Sequence, residues 1–229
     1  KVMKNDDVKI MPLINNINDR KGEGVFDGDM LHHILHDKSK REKLIDDIVK
    51  NITQYGLQGI NIDFEEFKEK SDEPIIAFQE ELYKKFHAQN LLVTQDIMAG
   101  NEDFNVKELA KFNDYMVLMA YDEHYSTSVP GPVCSQRWIE KSLDETTRDI
   151  PSDKIILGLA AYGYDWPGDE EAATVSYQQA LANAKEYKAV IDYDNDTYND
   201  FYTYLDGSTV HKVFFTDAAT NFNTMRFAD

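Results

Sequence analysis

Gly59-Ile60-Asn61-Ile62-Asp63-Phe64-Glu65 is the stretch on which the fold of this chain turns. In an extended strand successive side chains point to opposite faces, so Asn61, Asp63 and Glu65 share one side and Ile60, Ile62 and Phe64 the other. A strand that buries an apolar face and lines the other with an amide and two carboxylates needs something to offset their desolvation, and an active site supplies that reason. Adjacent carboxylates perturb each other, which can hold one protonated near neutral pH as a general acid. Read alone, Asp63-Phe64-Glu65-Glu66-Phe67 also fits a solvated edge strand or the start of an amphipathic helix. The flanks weigh against both. Upstream, Ser39 with Glu42 predicts a capping box, Leu44, Ile45, Ile48, Val49 and Ile52 form an apolar stripe, and Gly56 is a helix stop. Downstream, Ser71, Asp72 and Pro74 open a helix striped by Ile75, Phe78, Leu82 and Phe86.

Helix, strand, helix is the rhythm of a parallel α/β sheet. Working outward, strands are expected at 8–14, 59–65, 91–97, 115–121 and 154–160. Helices are expected at 29–36, 39–55, 74–87, 106–112 and 135–147. Such alternation suits a doubly wound sheet or a (β/α)8 barrel. No glycine-rich phosphate loop follows a strand, which weakens the nucleotide-binding option. After Trp166 the character changes: 176–187 reads as a helix, and 201–205 with 210–215 flank the hairpin signal Asp206-Gly207. Residues 168–216 are therefore expected to be a small α+β insertion, with a helical pattern resuming over 217–226. Five parallel strands cannot close an eight-stranded barrel. The expected fold is an α/β (β/α)8 TIM barrel, incomplete because its first and last strands are missing, occupying 1–229. The start at Lys1 without a Met reads as a piece of a longer, multidomain chain.

Composition narrows the partners. With 229 residues and a net charge of −18, the chain can bury a sizeable core, and it carries no basic patch for nucleic acid or an anionic membrane. A neutral glycan fits better, and 12% aromatic residues suit stacking on sugar rings. Cys134 is the single cysteine, so an intrachain disulfide framework is excluded. No apolar run is long enough to span a bilayer and no signal peptide is visible.

In parallel α/β folds the reacting groups sit at the carboxyl ends of strands. Glu65 is expected at one such end. Tyr115, Val117, Met119 and Tyr121 share a face of the fourth strand, with Asp122 following. The fifth strand leads into Ala160-Ala161-Tyr162-Gly163-Tyr164-Asp165-Trp166, read as an aromatic loop on the same rim. Two carboxylates that flank a glycosidic bond usually come from opposite sides of the sugar. Asp63 and Glu65, with Cα atoms about 7 Å apart on one face, approach from one direction. That geometry suits an acid with a helper; the nucleophile would then have to be supplied by the substrate, as a 2-acetamido group can do through its carbonyl oxygen.

Gln58-Gly59-Ile60-Asn61-Ile62-Asp63-Phe64-Glu65 resembles the DGxDxDxE signature of glycoside hydrolase family 18, the chitinase-like family. Met119-Ala120-Tyr121-Asp122 is similar to its MxYD motif. The stretch 157–166 resembles the seventh-strand region of the branch with bacterial spore-cortex and germination N-acetylglucosaminidases, also seen fused to polysaccharide deacetylase and glycosyltransferase domains. The resemblance implies a retaining, substrate-assisted hydrolase of β-linked N-acetylglucosamine glycans, chitin-like or peptidoglycan. Glu65 would be the acid and base, Asp63 would orient the acetamido group, and Tyr121 would donate its hydroxyl to the acetamido oxygen. Asn61, Met119, Asp122, Gln95, Tyr162 and Trp166 would contact substrate. No metal or cofactor is implied, and the setting would be extracytoplasmic: cell surface, secreted or spore-associated. Asn61 stands where the family usually has Asp, which shortens a three-carboxylate chain by one, although the germination-type branch commonly shows this Asn. The alternative is a glycan-binding, lectin-like module or an inactive fragment lacking the last strand, which normally carries the Trp under the cleaved sugar. Neither Trp138 nor Trp166 obviously replaces it. Binding relatives commonly lack the acid that Glu65 supplies here.

Rival constellations are weaker. His32 and His36 share a helical face but lack a companion acid. Asp192, Asp194 and Asp196 open like a calcium loop, yet Thr197 and Thr203 stand where Gly and Glu are required. Asp122-Glu123-His124 diverge at a strand end, Asp169-Glu170-Glu171 reads as exposed surface, and Cys134 has no placed His partner.

Overall fold

The computed structural model describes residues 8–68, 70 and 73–228. The chain divides into two compact units, one running up to Leu118 and including Asp149–Ile156, the other made of Met119–Arg148 and the chain from Leu157 onward. A five-stranded sheet of order β1-β2-β3-β4-β5 comprises β1 (Leu13–Asn15), β2 (Gly59–Asp63), β3 (Leu92–Met98), β4 (Tyr115–Met119) and β5 (Ile155–Gly158). The pairs β1/β2 and β2/β3 are parallel, with Asn15 opposite Asp63 and Asn61 opposite Thr94. The first unit also holds α1 (Gly28–Leu35), α2 (Lys38–Gln54), α3 (Glu73–His87) and α4 (Val106–Leu109), while α5 (Gln136–Thr146) falls in the second. This is the α/β, partial-barrel order that the alternating pattern predicts.

The apolar face of β2 is core: Ile60, Ile62 and Phe64 are buried, and the Phe64 and Phe78 rings lie 5.5 Å apart. From α2, Ile45, Ile48 and Ile52 reach the interior; from α3, Ile75, Phe78, Leu82 and Phe86 do so. Full burial of such side chains stabilises by about 1.5–3 kcal/mol each. Arg41 clamps the two helices, with Nη2 donating to Glu81 Oε1 at 2.9 Å and Nη1 to the Leu35 carbonyl at 2.8 Å. At the end of α2 Gly56 is left-handed (φ +61°). Leu57 N donates to Ile52 O and Gly56 N to Thr53 O, the paired bonds of a Schellman stop.

Several expected boundaries move. The first strand is confined to Leu13–Asn15. The α2 cap is Asp37, whose carboxylate accepts from Ser39 N and Lys40 N, because an ionised carboxylate satisfies two orphan helix donors at once; the Ser39–Glu42 box does not form. Ser71 and Asp72, expected to open α3, lie outside the described residues. β2 and β4 end at Asp63 and Met119, so Glu65 and Tyr121 stand two residues past their strands.

The second unit is built on an antiparallel sheet of order β7-β6-β10-β9-β8: β6 (Tyr162–Pro167), β7 (Ala173–Ser176), β8 (Asp192–Asp194), β9 (Asn199–Asp206) and β10 (Thr209–Phe215). It also holds α6 (Tyr177–Glu186) and α7 (Ala218–Ala228). The expected hairpin is present, Asp206 pairing with Thr209 around Gly207 at φ +59°. The aromatic stretch read as a rim loop is instead β6, paired along β10 from Gly163↔Phe215 to Pro167↔His211. The antiparallel region thus begins at Tyr162, ahead of the expected 168. Val175, Ala180, Ala184, Tyr202, Tyr204, Val213 and Phe215 form its core.

Candidate active site

β2 places Asn61 and Asp63 on its half-buried face, and Glu65 follows beyond the last ladder pair. What holds Glu65 there is a side chain. Asn16, 2% exposed, donates from Nδ2 to the Glu65 carbonyl at 2.9 Å and accepts the Glu65 N–H at 3.0 Å. A primary amide has the donor and acceptor of a peptide group, so Asn16 continues the β1/β2 pairing after the strand stops. Glu66 then turns left-handed at φ +53°. Gly28 lets the start of α1 approach this turn, since a Cβ there would fall 1.8 Å from the Glu66 carbonyl oxygen.

Asp63 and Glu65 are hydrogen bonded to each other. Burial first, then the Asp63 charge and this bond, push the Glu65 carboxyl up to about 7. Burial also raises Asp63, against the bond from Glu65 that lowers it. The proton therefore resides on Glu65 and is donated to Asp63. The other oxygen, Asp63 Oδ1, is buried with no hydrogen-bond partner among the described residues. An unsatisfied buried acceptor is costly, and here it is an open position for a donor from a ligand.

On the neighbouring strand Thr94 and Asp96 face the same way. Asn61 Nδ2 donates to Asp96 Oδ2 at 2.7 Å, and Thr94 Oγ1 donates to Asn61 Oδ1 at 2.6 Å. Burial lifts the Asp96 carboxyl to about 6. Gln95, expected to contact substrate, points the opposite way: it is 1% exposed and accepts from Asn113 Nδ2 at 3.2 Å, while Asn113 Oδ1 accepts from Gln79 at 2.7 Å. The period-two alternation of β3 makes Gln95 and Asp96 exclusive choices. Asp96 and Asn16 are the residues sequence reading missed; alternation signals the first, and nothing local signals the second.

In the second unit Asp122 is left-handed (φ +61°) and its Oδ1 accepts from Tyr162 OH at 2.5 Å and Tyr164 OH at 3.0 Å. Burial and the Asp122 charge raise both phenols, Tyr164 to about 12, so both remain donors at neutral pH. The Tyr121 ring stands edge-on to Tyr162 at 6.2 Å, and Met119 closes β4. Trp166 is a correction: it is 1% exposed, with Tyr164 at 5.5 Å and Phe214 at 6.2 Å. A strand residue packed on its partner strand offers no open indole face to a sugar.

The rival sites dissolve. Asp194 accepts from the backbone of Asp196 and Thr197 in a local turn. His33 bonds Lys40, and the His32 and His36 rings face each other at 3.7 Å. Among the described residues no three His, Cys, Asp or Glu side chains are grouped to hold a metal ion. Burial and the charges of Glu123 and Asp122 push the Cys134 thiol up to about 12, which keeps it protonated. No helix among the described residues is long and apolar enough to cross a membrane.

Known proteins resemble this chain along most of its length. YdhD of Bacillus subtilis is 32% identical over 209 residues, covering 85% of this chain and 49% of that protein. On superposition its crystal structure gives a TM-score of 0.90 at 27% identity, over 96% of this chain and 76% of that one. The cortical fragment-lytic enzyme of B. subtilis is 27% identical over 95% of this chain and 53% of its own length. The spore cortex-lytic enzyme SleL of B. cereus superposes with a TM-score of 0.85 at 26% identity, over 94% and 52% of the two chains. This chain spans about half the length of the first two curated relatives. The profile of Glycosyl hydrolases family 18 matches residues 1–229, and the chain belongs to that family.

Proposed function

We propose that the protein is a retaining glycosidase that cleaves β-linked N-acetylglucosamine glycans with help from the substrate's own acetamido group. The observation that carries this reading is the pair itself: a protonated Glu65 bonded to an Asp63 whose second oxygen is buried and unpartnered. Carboxyls in mutual contact cannot flank a sugar from opposite faces, as a double displacement by two carboxylates requires. The nucleophile is then the acetamido carbonyl oxygen. It attacks the anomeric carbon as Glu65 gives its proton to the departing glycosidic oxygen. Asp63 accepts the acetamido N–H and supports the positive charge of the oxazolinium ring. Glu65, now a carboxylate, removes a proton from water, which opens the ring with configuration retained.

By resemblance to the family motif, Tyr121 donates to the acetamido oxygen, and Met119, Asp122 and Tyr162 contact the sugar. Asn61 holds the carboxylate side of the site. The relatives named for spore cortex make cortex peptidoglycan the favoured substrate, with chitin-like oligomers the other member of the class. Such a glycan lies outside the cytoplasm, which is where the protein would act, within a longer multidomain chain. The test is to incubate the protein with N-acetylglucosamine oligomers and with cortex muropeptides, following product anomers by proton NMR. Initial formation of the β-anomer is expected. Initial α-anomer, or tight binding with no product, overturns the proposal in favour of an inverting mechanism or a glycan-binding module.

A further inference from the structure

The reaction just described leaves a buried acid beside the site unused. Asp96 is 7% exposed, on the face of β3 that it shares with Thr94. Its neighbour across the sheet is Asn61, whose Nδ2 donates to Asp96 Oδ2 while its Oδ1 accepts from Thr94 Oγ1. One neutral donor does not offset the desolvation of a carboxylate. An Asn at 96 would occupy the same space without that cost, so the charge itself calls for a reason.

We propose that Asp96 is a positioning residue of this site, a third carboxylate behind Asp63 and Glu65 whose charge keeps the acid proton on Glu65. The inference rests on the reading of Glu65 as the acid. The charged groups that act on Glu65 are Asp63, the following Glu66, and Asp96 across the sheet; the one that acts on Asp96 is Asp63. With Asp63 and Asp96 ionised, loss of the Glu65 proton to water would create a third anion in one half-buried cluster. That repulsion is relieved when the proton goes to a leaving group while positive charge grows on the sugar.

Two readouts test this on the full chain. Carbon-13 NMR of labelled carboxyls follows Glu65 directly, assigned with Glu65→Gln. In wild type the Glu65 curve should titrate near 7 and carry an inflection near 6 as Asp96 ionises. In Asp96→Asn the Glu65 midpoint should fall, by less than in Asp63→Asn because Asp96 is the smaller of the two influences, and the alkaline limb of kcat/KM should fall with it while KM stays put. Thr94→Val loosens Asn61 without removing a charge and should move neither. An unshifted Glu65 midpoint in Asp96→Asn, an equal shift in Thr94→Val, or a wild-type curve without the inflection overturns the proposal. The wild-type curve decides even if a variant fails to fold. A wild-type protein that hydrolyses nothing removes the acid role of Glu65, whereas the NMR titration still decides whether Asp96 holds its proton.

Discussion

Two sets of carboxylates, one in each unit, are held in opposite ways. In the first, Asp63, Glu65 and Asp96 have one another and a single amide for company. In the second, Asp122 is met by two tyrosine hydroxyls, and Asp165 by Tyr204 OH at 2.6 Å and His211 Nδ1 at 2.8 Å. Acids that face acids hold their protons toward neutral pH and can exchange them with a substrate; acids that face donors are held in direction. The first arrangement suits chemistry, the second suits holding shape or a ligand.

The sharpest way to break this contrast is to neutralise one acid of each kind. Glu65→Gln is expected to lower kcat on an N-acetylglucosamine oligomer by about 10³-fold, in the usual range for a general acid, with the fold intact by circular dichroism. Asp122→Asn keeps the shape and one acceptor for the tyrosines, so its loss should fall on KM, by about tenfold. Equal losses of kcat in both variants would abolish the distinction.

Asp63→Asn sharpens the first half. It removes the Asp63 charge, the largest cause after burial of the raised Glu65 carboxyl. The Glu65 titration and the alkaline limb of the rate profile should therefore move to lower pH, alongside a loss of kcat of about 10²-fold. An alkaline limb that stays in place would mean Asp63 does not hold the Glu65 proton.

A smaller effect should separate the two sets by stability. Asp165→Ala leaves the hydroxyl of Tyr204, itself 9% exposed, without its acceptor and should cost about 1–3 kcal/mol in urea unfolding. Asp96→Asn removes a poorly satisfied anion and should cost nothing, or stabilise. Asp165→Ala as stable as wild type would show that the donors around Asp165 are not structural.

How far these sites were legible follows from what each depends on. The two faces of β2 and the stripes of α2 and α3 are local periodicities, and they appear in the structure as read. Asp37 displaced Ser39 as a cap because the choice between nearby capping residues is made by backbone geometry, which composition does not carry. Sequence reading turns Gln95 toward the site where the structure turns Asp96, because the phase of β3 relative to β2 is a register between strands 33 residues apart, as Asn61↔Thr94 shows. Asn16 acts through a contact 49 positions along the chain. Trp166 looked like a rim residue because nothing before β10 reveals that 162–167 will find a partner strand. Motifs with internal spacing could be read; tertiary partners could not.

The least of the expected effects is thermal. Glu65 and Asp96 titrate at about 7 and about 6 in the folded chain, above their unfolded values of 4.5 and 3.8, so the native state holds more protons than the unfolded one across that window. Stability from these groups is fully present below about pH 4 and is lost as pH rises through 6 and 7. Asp200, raised to about 6 by burial and Asp217, adds with the same sign. Asp27, lowered to about 2 by Lys21 and Asn18, has the opposite sign, but its contribution disappears only below about pH 4. Glu65 is partly exposed, so solvent screening reduces the effect; roughly 1 kcal/mol between pH 5 and 8 is expected, a fall of about 3 °C in Tm. The net charge of −18 pushes the same way by general repulsion. The cluster's own share is therefore isolated by repeating the scan with Glu65→Gln/Asp96→Asn, in which the slope should flatten; an identical slope in the double variant would place the pH dependence elsewhere in the molecule.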